Sequence, residues 1–572
     1  MASGDDTSDE FDVIVVGSGA AGMTAALAAA DKGLRALIVE KASTFGGSTA
    51  RSGGGVWIPD NEALRAAGIT EVDGAAREYL HTIIGEHVDS DRIDTYLDRG
   101  PEVISFLLGA TPLRLRWVPG YSDYYPEAPG GRAGGRSVEP VPFNGTKLGD
   151  DLDTLAPDYG KSPRNFAVTQ ADFRLLTLLT RTPKGPLRAL RVGARWLKAS
   201  LLRQHLLVRG QALAAALRAG LTRAGVPLWL NTPLVELTTD GDSVTGVVVR
   251  QGDTERRLTA RRGVVITSGG FEHNEEMRKR YQREPIGTDW TTGAPGNTGD
   301  GIRAGQALGA AVEFMSDAWW GPSIPLPGGP WFCLAERSLP GSIMVNGRGE
   351  RFVNESAPYV DATHAMYGGE YGQGDGPAEN MPTWLIFDQR YRNRYLFAGV
   401  APRQPLPGRW FKTGALHRAT TLAELTAAID VPSAALTSTV ERFNGFATEG
   451  NDPDFNRGTS AYDHYYGDPR NRPNPSLGPL DNAPFYAAKL VPGDLGTKGG
   501  LKTDARARVL REDGSVIGGL YAAGNASTPV MGHTYAGPGA TIGPAMVFGY
   551  LAAHDLAATP APALADHDGG LS

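Results

Sequence analysis

Tyrosine is the residue type that stands in unusual settings in this chain. Three stretches carry it: Gly120-Tyr121-Ser122-Asp123-Tyr124-Tyr125-Pro126, Phe352-Val353-Asn354-Glu355-Ser356-Ala357-Pro358-Tyr359, and Gly532-His533-Thr534-Tyr535-Ala536-Gly537-Pro538-Gly539-Ala540. A phenol donates and accepts hydrogen bonds, and as phenolate it takes a proton, at an unperturbed pKa of ~10. Its ring also packs in apolar surroundings where a carboxylate would have to be desolvated. One buried tyrosine alone reads as an ordinary core residue with its hydroxyl satisfied. Other chemistries have less to work with. The 10 histidines show no HxxxH or HExxH spacing, so no metal site is expected. No serine sits in a GxSxG elbow. Cys333 is the single cysteine, so no disulfide or dithiol pair can form within the chain. Electrons must then travel through a bound cofactor.

The elements that would hold such a cofactor begin near the N-terminus. Phe11 to Val16 is a short apolar run rich in β-branched residues, as in a buried parallel strand. Gly17-Ser18-Gly19-Ala20-Ala21-Gly22 follows, then an alanine-rich helix ended by Gly33, then a second strand from Leu34 to Val39 closed by Glu40. Gly17 permits the tight turn, Gly19 lets the backbone approach a pyrophosphate, and Gly22 lets helix and strand pack closely. The helix N-terminus attracts phosphates, and Glu40 can accept from ribose hydroxyls. A glycine triplet alone is weak evidence; placed between strand and helix, with an acid about 20 residues on, it predicts a dinucleotide site.

Glu40-Lys41-Ala42-Ser43-Thr44-Phe45-Gly46-Gly47-Ser48-Thr49, extended by Arg51 to Gly55, resembles the segment that wraps the ribityl chain and flavin in disulfide-reductase-like and fumarate-reductase-like flavoproteins. That resemblance implies FAD. No histidine lies near it, so attachment is expected to be non-covalent. Gly263 to Gly270 and Gly519 to Asn525 look like the strand pieces with which the same superfamily completes its flavin site. The expected cofactor-binding residues are Gly17, Ser18, Gly19, Ala20, Ala21, Gly22, Glu40, Lys41, Gly47, Ser48, Thr49, Ser52, Gly53, Gly524, Asn525, Gly539 and Ile542.

With pieces at the start, middle and end, the expected fold is α/β: a Rossmann-like FAD-binding domain with an inserted α+β catalytic domain. A chain of 572 residues is long enough for two cores. The FAD domain is expected over 1–315, with a basic apolar insert at about 130–206. The catalytic domain is expected over 316–482, and the FAD domain resumes over 483–572. The 75 glycines follow no Gly-X-Y period and suit a backbone close to a large cofactor. A net charge of −7 argues against a general nucleic-acid binder. The first residues, MASGDDTSDE, are acidic and unlike a signal peptide, so cytoplasmic residence is expected. The tail after Thr559 has a disorder-prone composition.

On this framework the three tyrosine motifs, with Asp494-Leu495-Gly496-Thr497-Lys498-Gly499-Gly500 and Asn297-Thr298-Gly299-Asp300, resemble the 3-ketosteroid Δ1-dehydrogenases over nearly the whole chain. The resemblance implies removal of one hydrogen each from carbons 1 and 2 of the steroid A ring, a step in steroid and sterol degradation. By motif, Tyr535 and the Gly539 amide hold the carbon 3 ketone, as in an oxyanion hole. Tyr359 takes the proton from carbon 2, Tyr124 hydrogen-bonds that base, and hydride leaves carbon 1 for the flavin. Tyr121 and Tyr125 flank Tyr124 closely enough to be confused with it. The rival readings are a 3-ketosteroid Δ4-(5α)-dehydrogenase, which would share the ketone clamp, and a non-catalytic, membrane-bound lipid-binding flavoprotein.

The second rival arises from one segment. From Phe173 to Glu236 no acidic residue precedes Glu236 itself. Within it Leu187, Leu190, Ala194, Leu197 and Leu201 form a helical stripe beside Arg188, Arg191, Arg195 and Lys198. With Trp196 this is a basic amphipathic helix of the kind that lies in a membrane interface. Residues 173–209 therefore read as a peripheral membrane contact on the inner face of the cell membrane, as a helical hairpin packed on its own domain with solvated arginines, or as an oligomer contact. A quinone electron acceptor would suit the first.

Overall fold

The computed structural model describes residues 9–160 and 165–559. The N-terminal residues 1–8 and the tail from residue 560, read above from composition, lie outside the described residues. Four apolar strands run parallel in the larger sheet, in the order Val516–Ala522, Thr254–Ile266, Glu10–Val16 and Ala36–Val39. Val16 is level with Val39 on one side and with Ile266 on the other, and Ile266 is level with Ala522. Their carboxyl ends therefore open on one edge, where an α/β sheet places its ligand. Thr254–Ile266 turns back antiparallel onto Ser243–Gln251, which pairs in turn with Leu234–Asp240.

The helix Ala20–Asp31 leaves the first strand through Gly17, whose φ of +108° suits glycine. Its Ala25, Ala26, Ala28 and Ala29 are buried against the helices Arg209–Ala224 and Ile542–Ala558. Such small side chains bring backbones close: a Cβ on Gly549 of the last helix would sit 2.4 Å from the Ala21 carbonyl oxygen. Three distant stretches of sequence are thus locked around one strand end.

The second sheet is antiparallel, in the order Trp331–Phe332, Ala318–Ile324, Phe485–Thr497, Thr383–Asp388 and Ser342–Val345, with Leu416–Ala419 paired to the third of these. The helix Ser433–Glu449 closes one side with Leu436, Val440 and Phe443, which share a core with Ile343, Val345 and Ile386. The helix Tyr359–Tyr367 packs against Ala318–Ile324. The expected return to the FAD domain at 483 does not follow the sheet pairing. Phe485–Thr497 is the central strand of this second sheet, because its apolar run is buried between strands from both sides.

The expected insert at about 130–206 contains one strand that pairs outside it. Ser137–Pro140 is paired with both Val56–Trp57 and Leu115–Trp117 and so belongs to the body of the fold. The excursion is closed at its base where Phe143–Asn144 pairs with Leu206–Leu207. It carries the helices Gln170–Thr177 and Lys184–Leu201. The second buries only Gly185, Val192 and Ala199, and its leucine stripe faces outward. Leu190 is 69% exposed and Leu201 75%. The reading of solvated arginines is corrected at four positions: Arg188 and Arg195 reach buried Asp172 at 2.9 and 2.5 Å, Arg181 reaches buried Asp468 at 2.5 Å, and Arg209 pairs with Asp158. Asp172 stands one residue before the acid-free stretch and holds Arg188 and Arg195 together. No helix among the described residues is long and apolar enough to cross a membrane.

Candidate active site

One cavity of about 600 Å³ opens at the carboxyl edge of the parallel strands and runs to the second sheet. The expected cofactor residues line it, except Gly22. Gly22 lies beneath: a Cβ there would sit 2.0 Å from the Gly17 carbonyl oxygen, and one on Gly17 would sit 2.5 Å from that of Thr267. The turn is thus as tight as a pyrophosphate cradle needs. Glu40 Oε2 accepts from the Ser18 amide at 3.0 Å and the Ser18 hydroxyl at 2.6 Å, and Oε1 accepts from the Ala42 amide at 2.9 Å. Carboxylate oxygens retain further lone pairs for ribose hydroxyls. Lys41 lines the cavity but is held by Thr298 Oγ1 at 2.6 Å and Asp300 Oδ2 at 2.5 Å. Ser48 Oγ accepts from the Ala294 amide and the Asn297 side chain, and Thr49 Oγ1 accepts from the Ala20 amide. The last helix begins at Ile542 on the cavity wall, an end favourable to negative charge. A strand-end glycine cradle, an acid beside it and a helix N-terminus fit an FAD. Among the described residues, no histidine lines the cavity.

The tyrosine motifs meet at the other end. Tyr359, the first residue of its helix, is 5% exposed, and Tyr124 and Tyr535 are 3% exposed. The Tyr124 hydroxyl donates to that of Tyr359 at 3.2 Å. Ring centroids lie 5.4 Å apart for Tyr359 and Tyr535, and 5.2 Å for Tyr124 and Tyr535. Gly539 shares the wall with them; a Cβ there would meet the Gly55 carbonyl oxygen at 2.4 Å. The hydroxyls of the neighbours of Tyr124 are held by other partners, although Tyr121 also lines the cavity. Tyr125 donates to Asp361 Oδ1 at 2.9 Å, and the Tyr121 hydroxyl pairs with that of Tyr466 at 2.6 Å. The backbone sets this register: the Tyr124 amide donates to the Ala536 carbonyl at 3.0 Å, and Tyr79 donates to the same oxygen at 2.6 Å.

Burial pushes the Tyr359 phenol well above its ordinary range, and the hydrogen bond from Tyr124 opposes the rise. Burial raises Tyr535 too, opposed by Thr541 Oγ1, 3.4 Å from its hydroxyl. The arrangement offers one phenol with a donor behind it, to move a proton. It also offers a second phenol beside a backbone amide, to hold an oxygen.

Sequence reasoning missed Trp319 and Phe332, which pack edge-on against Tyr535 and Tyr359 with centroids 5.1 Å apart in each case. Trp319 Nε1 also donates to Asn525 Oδ1 at 3.0 Å, joining the two sheets. It missed the anchor behind them as well. Buried Asp317 pairs with His364 Nε2 at 3.0 Å, His533 Nδ1 at 2.9 Å and Lys498 Nζ at 3.1 Å. Burial works against its charge, but Lys498 and His364 outweigh that and hold Asp317 well below the carboxylate range. One carboxylate thereby ties together the strand bearing Trp319, the helix bearing Tyr359 and the loop bearing Tyr535. Breaking such a buried network costs about 3–5 kcal/mol. Its members lie 47, 181 and 216 residues from Asp317, so no local pattern announces it.

The FAD binding domain family matches residues 12–542. A 3-oxosteroid 1-dehydrogenase of Mycolicibacterium smegmatis is 60% identical over 97% of this chain and 98% of its own. The crystal structure of 3-ketosteroid delta1-dehydrogenase from Sterolibacterium denitrificans, in complex with 1,4-androstadiene-3,17-dione, superposes with a TM-score of 0.90. It is 40% identical over 96% of this chain and 100% of that one. The 3-ketosteroid-delta4-(5alpha)-dehydrogenase from Rhodococcus jostii RHA1 shares the fold, with a TM-score of 0.67 at 22% identity over 97% of this chain and 99% of that one.

Proposed function

The chain belongs to the 3-oxosteroid 1-dehydrogenase family of FAD-binding proteins, and on that premise we propose which residues remove the hydrogens at carbons 1 and 2 of a 3-ketosteroid. The observation that carries the reading is the hydroxyl of Tyr359 placed 3.2 Å from a buried donor, Tyr124, in one cavity with Tyr535 and Gly539. FAD, held without a covalent bond, supplies the hydride acceptor. Tyr535 and the Gly539 amide donate to the carbon 3 ketone and stabilise the charge that develops on its oxygen. The polarised ketone acidifies the hydrogens on carbon 2, and Tyr359 removes one as general base. Tyr124 stabilises the phenolate by donating to it. Trp319 and Phe332 hold the rings in place and keep water from the reacting face. High identity to a Δ1 enzyme and low identity to the Δ4 enzyme support the first chemistry over its rival.

A tyrosinate base makes a signed prediction. Burial raises the Tyr359 pKa, so at neutral pH only a small fraction is ionised. Below that pKa the ionised fraction grows tenfold per pH unit, and log kcat should climb with a slope of about +1 into the alkaline range. Stopped-flow flavin reduction by androst-4-ene-3,17-dione across pH would measure it. A profile peaking at acidic pH would sink the assignment.

The outward leucine stripe supports a peripheral membrane contact, with a membrane quinone as electron acceptor. Leu187, Leu190, Trp196, Leu197, Leu201 and Leu202 are each at least 44% exposed on one short helix and its end. Such a patch flanked by Arg191 and Lys198 suits an anionic lipid surface. The protein is expected to co-sediment with vesicles containing anionic lipid, more weakly at high salt, and to stay in solution when Leu190, Leu197 and Leu201 are changed to Asp. Wild-type protein that never sediments would leave the stripe to a contact between chains.

A further inference from the structure

The excursion between Phe143–Asn144 and Leu206–Leu207 also reaches the cofactor cavity. Gln170, the first residue of the helix Gln170–Thr177, lines it. Its main chain is firmly held. The Gln170 amide donates to Glu139 Oε2 at 2.7 Å, and Thr169 before it caps the helix in a reciprocal box with Asp172. Arg116 donates to both Glu139 and Thr169. The side chain is not so served: Gln170 Oε1 is buried without a hydrogen-bond partner. A buried acceptor without a donor is costly, so the occupant of the cavity is the natural source of one.

The position narrows which occupant. A Cβ on Gly53 would lie 2.6 Å from Gln170 Nε2, and one on Gly55 would lie 3.2 Å from Nε2, 3.3 Å from Oε1 and 3.3 Å from the Pro538 carbonyl. Gly55 also abuts Gly539. The carboxamide therefore stands where the Arg51–Gly55 run meets the ketone clamp, not beside the Gly17–Glu40 cradle. A steroid dione such as androst-4-ene-3,17-dione has only carbonyl acceptors and cannot satisfy Oε1. The ring of oxidised isoalloxazine has one N–H, at N3, with a carbonyl on either side. An in-plane carboxamide, acceptor beside donor, matches that edge.

We infer that Gln170 is an isoalloxazine-binding residue, its side-chain carbonyl accepting the flavin N3–H. The excursion then completes the flavin site as well as presenting an apolar face to its surroundings. The inference rests on the proposed function in two respects, FAD occupying this cavity and a steroid that brings no hydroxyl to Gln170.

The test uses the full-length protein stripped of flavin and titrated with FAD. Gln170→Leu should weaken FAD binding by roughly three- to tenfold, the size of one neutral hydrogen bond, and shift the visible flavin spectrum. Gln170→Glu keeps an acceptor, so it should bind FAD more tightly than Gln170→Leu. Its added negative charge should lower the midpoint potential below that of wild type. Unchanged FAD affinity and potential in both variants would overturn the inference, as would a Gln170→Leu defect confined to the steroid KM. If Gln170→Leu does not fold, an unchanged potential in Gln170→Glu overturns it alone. A wild-type protein that binds no FAD would instead remove the premise, and the inference with it.

Discussion

Replacing Tyr359 by Phe is expected to lower the rate of flavin reduction by roughly 10²- to 10⁴-fold, the usual worth of a general base. The substitution removes one oxygen and little else. The ring keeps its edge contacts with Phe332 and Tyr124, at 5.1 and 5.4 Å between centroids, so packing and flavin binding should persist. The Tyr124 hydroxyl loses its acceptor at 3.2 Å, a modest cost that thermal denaturation would register. The alkaline climb of the rate should vanish along with its magnitude. Single-turnover mixing of the FAD-loaded variant with androst-4-ene-3,17-dione measures both. A rate within a few-fold of wild type, with the slope intact, would assign the base elsewhere.

Replacing Tyr535 by Phe should cost roughly 10²- to 10³-fold, the loss typical of one donor to a developing oxyanion. Here the signature differs. The Gly539 amide remains to hold the ketone, and Tyr359 remains as base, so the pH slope should survive while the rate falls throughout. The contact of Trp319 with the ring at 5.1 Å does not need the hydroxyl, and the loop stays anchored through His533 and Asp317. Comparing the two variants therefore separates proton removal from ketone polarisation. A Tyr535→Phe variant that kept its rate but lost its slope would exchange the two roles.

The sequence made the flavin half of the site legible because its signals are local. Gly17 to Gly22 between strand and helix, and Glu40 at the next strand end, are read from neighbours in the chain, and all but Gly22 line one cavity with Gly524 and Asn525. The tyrosine motifs were visible as motifs, and resemblance linked them to a reaction. The packing that unites them was not legible. Which of Tyr121, Tyr124 and Tyr125 hydrogen-bonds to Tyr359 depends on the hydrogen bond from the Tyr124 amide to the Ala536 carbonyl, hundreds of residues away. Trp319 and Phe332 look like any apolar strand residues until the second sheet is laid beside the first. Phe485–Thr497 has a pattern that fits either sheet, and only its partners decide. In the excursion, composition suggested arginines in solvent, yet a single aspartate one residue beyond the acid-free stretch holds two of them together. Gln170 carries no sequence signal at all, because what distinguishes it is a missing partner.

The chemistry proposed for this cavity is removal of one hydrogen each from carbons 1 and 2 of a 3-ketosteroid. The most direct test is to incubate the purified FAD-loaded protein with androst-4-ene-3,17-dione and an artificial electron acceptor, and to identify the product by mass and ultraviolet spectrum. The expected product is a steroid lighter by two hydrogens, with the spectrum of a 1,4-dien-3-one. Recovery of unchanged steroid, or desaturation at any other position, would contradict it.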